Sequence, residues 1–509
     1  METEHELLIY EEKHSQTLQR PQVSKRKPKL NGAFRNKYIL LSSVLATLGG
    51  ILFGYDLGII SGALVQLQEY FQLSCFEQEM TIGSVIIGAL LASLCAGFVV
   101  DYFGRKACII GSSVLYAIGA IIVATSQSYN ILICGRLILG TAIALSSASE
   151  CIYVSEISPP KFRGTLVSFN ELGITVGFLL AYCSNAAFAY NTSSGWRWMF
   201  GISLVLALAM TVTVCFLPYS PRYLLMKGRI EEAKQIHSQL QCNDQSSDET
   251  LNEWNAMKSF IYTSNNPKCN VCDIFRDTAT RYSVFIGLSL MVIQQATGQP
   301  NLLFYASTVL VSFGFKANGM ASFCSVGLGV AKLISTAICI SIVEKYERKA
   351  FLIVGSLVMF VSLLIISCCA ISFNIGVVDS CMTNHTNQTF NTEIVPGSEI
   401  ARWVVLFSLI AFVSAYAFSF GPVSWIFLSE IFPTKVRGIA FSISTSLNWA
   451  IQLLLSMTFL DFSKVCGGVG WPFFINSLLT LMSVVFIYKV IPKTKGKTLE
   501  EIQEDLIAR

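Results

Sequence analysis

Long apolar stretches separated by short polar segments run through almost the whole chain. Twelve of them contain about 20 mainly apolar residues each, the length of a helix that crosses a bilayer. They lie at 39–62, 81–100, 107–125, 131–153, 166–187, 198–217, 283–311, 320–343, 351–372, 403–428, 440–460 and 471–491. The pattern predicts an all-α membrane protein with twelve transmembrane helices in two six-helix bundles, at 39–217 and 283–491. An N-terminal tail at 1–38, a polar linker with short helices at 218–282 and a C-terminal tail at 492–509 complete the predicted organisation.

The composition supports a membrane protein. Hydrophobic residues make up 53% of the 509 residues and charged residues only 13%, whereas soluble domains carry roughly 25% charged residues. This argues against a soluble enzyme, and a net charge of +4 is too small to indicate nucleic-acid binding. With four His residues and no GxxxxGK[ST] loop, we expect no metal site and no cofactor. Most of the 16 Cys residues lie in apolar stretches, and the sequence leaves open whether Cys75 and Cys381 pair.

The basic residues predict the orientation of the chain in the membrane. Of the 36 Lys and Arg residues, 30 fall on the side of the N-terminus, counting Lys489 at the end of the last span, and two lie deeper within spans. The loops on the other side carry only four, namely Arg197, Lys316, Arg402 and Lys464. By the positive-inside rule both termini are then cytosolic. The three glycosylation sequons, at Asn191, Asn384 and Asn387, all fall on predicted outward loops, which agrees with this orientation.

The two bundles carry an internal sequence repeat. The segment YVSEISPPKFRG at 153–164 matches FLSEIFPTKVRG at 427–438, and YFGRKA at 102–107 matches KYERKA at 345–350. Repeated six-span halves are typical of alternating-access transporters, in which the substrate site lies near the midplane between the halves. The repeat therefore predicts a pseudo-symmetric transporter rather than an ion channel or a seven-span receptor. The scarcity of His residues and of any nucleophile–base pattern argues against a membrane enzyme.

The chain resembles the sugar porters of the major facilitator superfamily, in the glucose transporter family (solute carrier family 2). The resemblance covers about 39–502 and includes the repeat described above. It also rests on GGxxFGYDxGxxSG at 49–62, DYFGRK at 101–106, PxSPRYL at 218–224, QQATGQPN at 294–301 and PKTKGKTLEEI at 492–502. The segments LSCFEQE, GQPN and FYAST look most like members 10 and 12 of that family. The resemblance implies the major facilitator fold and transport of a hexose.

A hexose offers hydroxyl groups and a weakly apolar face, so its binding site needs amides and an aromatic ring. Span 7 supplies amides beside Gly298 and Pro300, which would break the helix and free backbone groups to line a cavity. The resemblance implies that Gln294 and Gln295 bind the sugar and that Trp425 closes the site from span 10. The further candidates for substrate binding are Gln299, Asn301, Tyr305 and Asn448. The alternative is that these amides only make hydrogen bonds between helices.

Several positions depart from the family pattern and leave the identity of the sugar open. Glu171 replaces the usual Gln of span 5, Lys332 replaces the usual Asn of span 8, and Pro300 takes the place of an Asn. Ionised residues near the membrane midplane find a partner or water. We therefore expect Glu171 and Lys332 to face the central cavity, either paired with each other or bound to sugar hydroxyls.

Asp56 in span 1 and Arg136 in span 4 are the candidates for proton coupling. In porters that this chain resembles, an Asp at this place together with the Arg is associated with proton symport. Burial disfavours the charged carboxylate whereas a nearby Arg favours it, so opening and closing of the cavity would change the protonation of Asp56. The alternative is a static ion pair that joins two helices.

A further set of charged residues lies at the cytosolic ends of the spans. The resemblance implies that they form ion-pair networks that latch the two halves together. The set comprises Asp101, Arg105, Glu156, Arg163, Arg222, Glu344, Arg348, Glu430 and Arg437. A positive-inside signal alone would explain the Arg residues but not the repeated Glu residues.

Together these features predict a transporter that moves a hexose, D-glucose in the first place, as a uniporter or a proton symporter. The alternatives are a sugar sensor that does not transport, and a transporter of a polyol or of dehydroascorbate. The expected partners are a small-molecule sugar, the lipid bilayer and, for a symporter, protons, with no nucleic acid and no obligate protein partner. We expect the plasma membrane, with an endomembrane or perinuclear compartment as the alternative.

Overall fold

The structure is a computed structural model. It describes residues 37–158, 163–190, 194–240, 254–255, 278–313, 315, 320–343, 345–373, 398–432 and 437–492. Within these ranges every regular element is a helix, as the hydrophobic pattern predicts.

The first half of the protein consists of six long helices that cross back and forth. They are α1 (Lys37–Phe71), α2 (Cys75–Phe103), α3 (Arg105–Thr125), α4 (Tyr129–Ile157), α5 (Arg163–Phe188) and α6 (Gly195–Cys215). Two short helices of the linker follow, α7 (Pro221–Met226) and α8 (Ile230–Leu240). We call the end of the bundle that carries the start of α1 and these linker helices the linker end. The end at which α1 stops and α2 begins is the opposite end.

The second half repeats this arrangement with two interrupted spans. Span 7 is divided into α9 (Thr278–Ala296), α10 (Gln299–Phe304) and α11 (Ala306–Ser312), and span 10 into α14 (Ser398–Phe418) and α15 (Phe420–Ile431). The other spans are α12 (Met320–Ile342), α13 (Arg348–Ser372), α16 (Arg437–Val465) and α17 (Gly470–Val490). In the described part of the chain, 11 helical stretches are long and apolar enough to cross a membrane, the divided span 10 among them, and span 7 is the twelfth.

The interruption of span 7 lies where the sequence predicts it. Gly298 has φ 79°, a left-handed conformation that favours glycine. Its missing side chain leaves room for the amide of Asn476 in α17, which a Cβ atom at this position would overlap. Pro300 sits in the first turn of α10, where its missing N–H costs no helical hydrogen bond. The helix therefore ends at Ala296 and a new one begins at Gln299.

The helices of each half pack in the same order. In the first half α1 packs on α5, α2 on α4, and α3 on α4 and α6. In the second half α9 packs on α16, α12 on α14, and α13 on α14 and α17, which are the equivalent spans. The two main contacts between the halves, α2 with α16 and α5 with α12, are also equivalent to each other. The packing thus has the two-fold pseudo-symmetry that the internal repeat predicts.

A pair of equivalent lysines holds the last span of each half. Lys106, from the repeated motif in the first half, donates to the carbonyls of Cys215 and Leu217 at the end of α6. Lys349 donates in the same way to the carbonyls of Tyr488 and Ile491 at the end of α17. Cations stabilise helix C-termini because the last carbonyls carry partial negative charge. The repeated lysine therefore anchors spans 6 and 12 at the linker end.

One cysteine departs from the apolar pattern of the others. Cys75, at the start of α2, is disulfide-bonded, and its partner lies outside the described residues. The other cysteines in the described ranges are free, and most of them lie within the apolar helices, two of them buried. Cys381 lies outside the described residues, so its pairing with Cys75 stays open.

Candidate functional site

Three buried amides form a connected cluster at the break of span 7. Asn448 of α16 donates to Oε1 of Gln294 at 3.1 Å and accepts from Nε2 of Gln295 at 2.8 Å. Gln294 also donates to the carbonyl of Phe420, at the start of α15, at 3.2 Å. Spans 7, 10 and 11 thus meet at these side chains, and each hydrogen bond fixes the orientation of an amide.

The short helices after the break are tied to α16 as well. Nδ2 of Asn301 donates to the carbonyl of Leu455 at 3.2 Å, and the hydroxyl of Tyr305 donates to the carbonyl of Ser456 at 3.3 Å. The ring of Tyr305 stacks on Phe459 with centroids 5.0 Å apart. Gln299 is also buried. It is the first residue of α10 and lies between Gln295 and Asn301 in the sequence.

Two amide oxygens in this region have no hydrogen-bond partner among the described residues. They are Oε1 of Gln295 and Oδ1 of Asn301, and both are shielded from solvent. The hydroxyl of Ser424 in α15 is in the same condition. Buried polar atoms are normally paired, so these atoms mark a place where a donor is missing. Sugar hydroxyl groups are donors that would satisfy these acceptors.

Trp425 lies one turn into α15, next to Ser424, and is only partly buried. Its ring packs against Phe441 of α16 with centroids 5.8 Å apart. Elsewhere on α16, Trp449 packs against Phe53 of α1, which is a contact between the two halves. The indole of Trp425 thus packs between spans 10 and 11.

Glu171 and Lys332 lie on opposite sides of the α5–α12 interface. Oε1 of Glu171 lies 3.2 Å from where a Cβ atom on Gly421 would stand, close to the anchor of Gln294. Nζ of Lys332 sits 3.6 Å from the centroid of the Phe178 ring. The two charges attract each other, although the salt bridges in the described part of the chain do not include this pair. They interact across the interface between the halves without a direct ion pair.

Asp56 and Arg136 are both buried but are not joined by a salt bridge. Arg136 donates through Nε to the carbonyl of Thr81 at 2.6 Å, and its guanidinium lies 5.6 Å from the centroid of Phe200. Both carboxyl oxygens of Asp56 lack a hydrogen-bond partner among the described residues. In this structure the two residues are buried without a salt bridge between them. Proton coupling through this pair stays a prediction.

The described ion pairs at the linker end lie within the first half and within the linker, where Arg229 binds Glu232. Arg105 binds Asp101 at 3.1 Å and Glu156 at 3.0 Å, and Glu156 accepts a hydrogen bond from Ser220. Arg222 is partly buried in α7, and Arg348 donates to the carbonyl of Val343 at 3.3 Å. Glu344 and the side chains of Arg163, Glu430 and Arg437 lie outside the described residues, as do Asn191, Asn384 and Asn387. A latch between the halves at this end therefore stays a prediction.

Two buried carboxylates were not predicted from the sequence. Glu79 in α2 accepts hydrogen bonds from backbone N–H groups of α16, and Glu150 in α4 accepts one from Ser146. Glu150 occupies the space left by the missing side chain of Gly49. An acidic residue inside the predicted span 131–153 was a visible signal for Glu150. Glu79 lies two residues before the predicted start of span 2, so the hydropathy pattern excluded it.

The two-fold arrangement of twelve spans around a central polar site is the major facilitator fold, which defines the protein as a membrane transporter. The structure of a proton:xylose symporter of this superfamily, XylE bound to 6-bromo-6-deoxy-D-glucose, matches with a TM-score of 0.74 and 28% identity, over 92% of this chain and 99% of that one. XylE from E. coli in a partially occluded inward-open conformation matches with a TM-score of 0.72 and 26% identity, over 90% of this chain and 100% of that one.

Sequence comparisons identify the family. Residues 42–506 match the family described as "Sugar (and other) transporter". Facilitated glucose transporter member 12 of solute carrier family 2 from Homo sapiens is 37% identical, over 92% of this chain and 85% of that protein. Member 10 from Xenopus laevis is also 37% identical, over 93% of this chain and 94% of that protein. The chain therefore belongs to the sugar porters of solute carrier family 2.

Proposed function

We propose that this protein carries a hexose, D-glucose in the first place, across the membrane by alternating access. The observation that carries the proposal is the amide cluster of Gln294, Gln295 and Asn448 beside the broken span 7. The cluster orients its own members and leaves the oxygens of Gln295 and Asn301 free to accept hydrogen bonds from sugar hydroxyls. Relatives that are facilitated glucose transporters, and a solved relative bound to a glucose analogue, support a hexose as the substrate.

The experiment is equilibrium exchange of radiolabelled D-glucose by proteoliposomes of the purified protein. Gln295→Ala removes an acceptor that only bound sugar would use, so we expect the KM for exchange to rise about tenfold, the factor of one hydrogen bond. Gln127→Ala, an exposed amide in the loop between α3 and α4, is the matched control and should exchange like the unaltered protein. An unchanged KM in Gln295→Ala would contradict the proposed site.

Absence of exchange contradicts the function itself. If the unaltered protein exchanges neither D-glucose nor other hexoses, polyols or dehydroascorbate, the sugar-sensor alternative takes its place. Binding of radiolabelled D-glucose to the purified protein then separates a sensor, which binds sugar, from a protein that does not bind it.

We further infer that transport is coupled to protons through Asp56. A buried carboxylate without a partner is costly inside a membrane, so the closed surroundings of Asp56 favour a bound proton. Nε of Arg136 donates to the Thr81 carbonyl and its guanidinium lies by the Phe200 ring, so in this conformation Arg136 makes no hydrogen bond to the carboxyl of Asp56. Opening of the halves would bring water or Arg136 to Asp56 and favour release of the proton.

We also infer that the linker end faces the cytosol. The support is the distribution of Lys and Arg residues, of which 30 of 36 lie on segments at that side. The anchors made by Lys106 and Lys349 at the ends of spans 6 and 12 use two of these residues. Both termini and the linker would then be cytosolic, and the opposite end would face outward.

A further inference from the structure

Glu79 makes a contact between the two halves that the proposed sugar site does not use. Glu79 is buried near the start of α2, at the opposite end of the bundle from the linker. Its oxygen Oε1 accepts hydrogen bonds from the N–H groups of Leu460 and Asp461 at 2.7 and 3.2 Å. These donors belong to α16, in the second half of the protein. A side chain of one half thus binds the backbone of the other.

The donors lie inside a helix, which makes the contact unusual. N–H groups within an α-helix normally bond to the carbonyl four residues earlier, which for Leu460 is the carbonyl of Ser456. That carbonyl receives the hydroxyl of Tyr305, and the carbonyl of Leu455 receives the amide of Asn301. One turn of α16 is therefore bound twice. Residues of span 7 bind carbonyl groups of this turn, and Glu79 binds N–H groups of it.

The two helices approach closely at this point. A Cβ atom on Gly83, one turn along α2 from Glu79, would overlap the sulfur of Met457. The absence of a side chain at Gly83 lets α2 reach the turn of α16 that Glu79 binds. The other oxygen, Oε2 of Glu79, has no partner among the described residues, so the whole attachment of this carboxyl group consists of its two bonds to α16.

Among the other described hydrogen bonds between the halves, the one between the hydroxyls of Ser93 in α2 and Ser446 in α16, 3.1 Å apart, lies nearer the linker end. Two more pairs of residues are bonded towards the same end as Glu79. The hydroxyls of Ser61 in α1 and Ser307 in α11 are 3.1 Å apart, and Tyr182 in α5 donates to the carbonyl of Leu303 at 3.3 Å. The opposite end is therefore closed in this structure. Because alternating access requires this end to open, the bonds of Glu79 must break during each transport cycle.

We propose that Glu79 is a positioning residue that fastens the first half to the turn of α16 held by span 7, and thereby keeps the opposite end closed. This rests on the proposed alternating-access function and adds to it a link between the sugar site and the gate. Asn301 and Tyr305 hold the carbonyls of the same turn whose N–H groups Glu79 binds. A sugar that withdraws Asn301 or Tyr305 from α16 changes the backbone that Glu79 needs, and so loosens the closed end.

The experiment measures the opening of this end without sugar transport. Nitroxide labels are placed at Asn130→Cys, exposed in the first turn of α4, and Val465→Cys, 85% exposed at the end of α16, in a background whose other reactive cysteines are serine. These positions belong to different halves and lie at the opposite end. Pulsed electron paramagnetic resonance of the purified protein then gives the populations of short and long distances, that is, of closed and open molecules.

In the labelled parent we expect mainly the short distance. Glu79→Ala leaves two N–H groups of α16 without their acceptor, so the ratio of open to closed molecules should rise about tenfold. Glu79→Gln keeps an oxygen that accepts more weakly than a carboxylate, and it should give an intermediate ratio. Glu69→Gln, an exposed carboxylate at the same end of α1, should leave the distribution unchanged.

An unchanged distribution in Glu79→Ala, or an equal change in Glu69→Gln, would overturn the proposal. If Glu79→Ala does not fold, Glu79→Gln decides the matter, since it preserves the volume of the side chain. The readout needs no sugar, so absence of glucose exchange would remove the proposed function without affecting this result. Conversely, normal exchange with an unchanged distance distribution would remove the role of Glu79 alone.

Discussion

The amides of span 7 form the site that we propose for sugar hydroxyl groups. Asn448 uses both ends of its amide, one for Gln294 and one for Gln295, so neither glutamine is free to rotate. Breaking these hydrogen bonds is costly, because leaving a buried amide group unsatisfied costs about 1–3 kcal/mol of free energy. A ligand therefore binds best when it uses the acceptors that are already vacant, on Gln295 and Asn301.

Residue identities predicted part of this site but not its geometry. Gln294, Gln295 and Asn448 follow from the resemblance, and their amide groups predict polar contacts. Their mutual hydrogen bonds depend on how spans 7 and 11 are rotated about their axes, which is decided by the packing of the whole bundle. Glu79 was missed for a related reason, since its acceptance of backbone N–H groups from α16 has no local signal in the sequence.

Glu171 and Lys332 should depend on each other. Lys332→Met leaves Glu171 as a buried carboxylate without a nearby cation, and Glu171→Gln leaves Lys332 without its carboxylate, so each single variant should lower thermal stability and uptake. The double variant removes both charges, so its loss of stability should be smaller than the sum of the two single losses. The difference, the coupling energy, should be about 1–3 kcal/mol. Thermal unfolding of the purified variants measures it. Additive effects of the two substitutions would show that the residues act independently.

Among the elements, the broken span 7 was the most predictable feature. Gly298 and Pro300 are visible in the sequence, and the break lies between Ala296 and Gln299. The ends of the spans were less predictable because helices continue beyond their apolar part. Helix α2, for example, begins at Cys75 with Ser74 and Glu77 in a capping box, six residues before the predicted start.

Gly298 should be intolerant of a side chain. Gly298→Ala places a residue with φ 79° in the left-handed region and pushes a Cβ atom into the Asn476 amide, at a cost of about 1–3 kcal/mol for the backbone alone. Thermal stability and glucose exchange should both fall. Gly327→Ala in α12, where a Cβ atom meets nothing within 4 Å, is the control and should be neutral or stabilising. A Gly298→Ala protein as stable and active as this control would contradict the role of the break.

At the scale of the whole molecule, the pseudo-two-fold symmetry connects sequence, packing and transport. The repeated motifs predicted two equivalent halves, and the packing of α2 on α16 and of α5 on α12 confirms that the halves meet through equivalent helices. The sequence alone did not predict which end is closed, because that depends on contacts such as Ser61 with Ser307 that exist in one conformation. Two rigid halves joined by equivalent interfaces can rock about the central site, which is the motion that alternating access needs.

The central claim, hexose transport coupled to protons through Asp56, is tested by uptake of radiolabelled D-glucose into proteoliposomes with and without an inward proton gradient. The account predicts saturable uptake that exceeds equilibrium when the gradient is present and collapses with an uncoupler. Asp56→Asn should still exchange glucose at equilibrium but lose the response to the gradient, because the amide cannot take up and release a proton. Uptake that only equilibrates under every gradient would contradict the coupling, and absence of protein-dependent uptake would contradict transport itself.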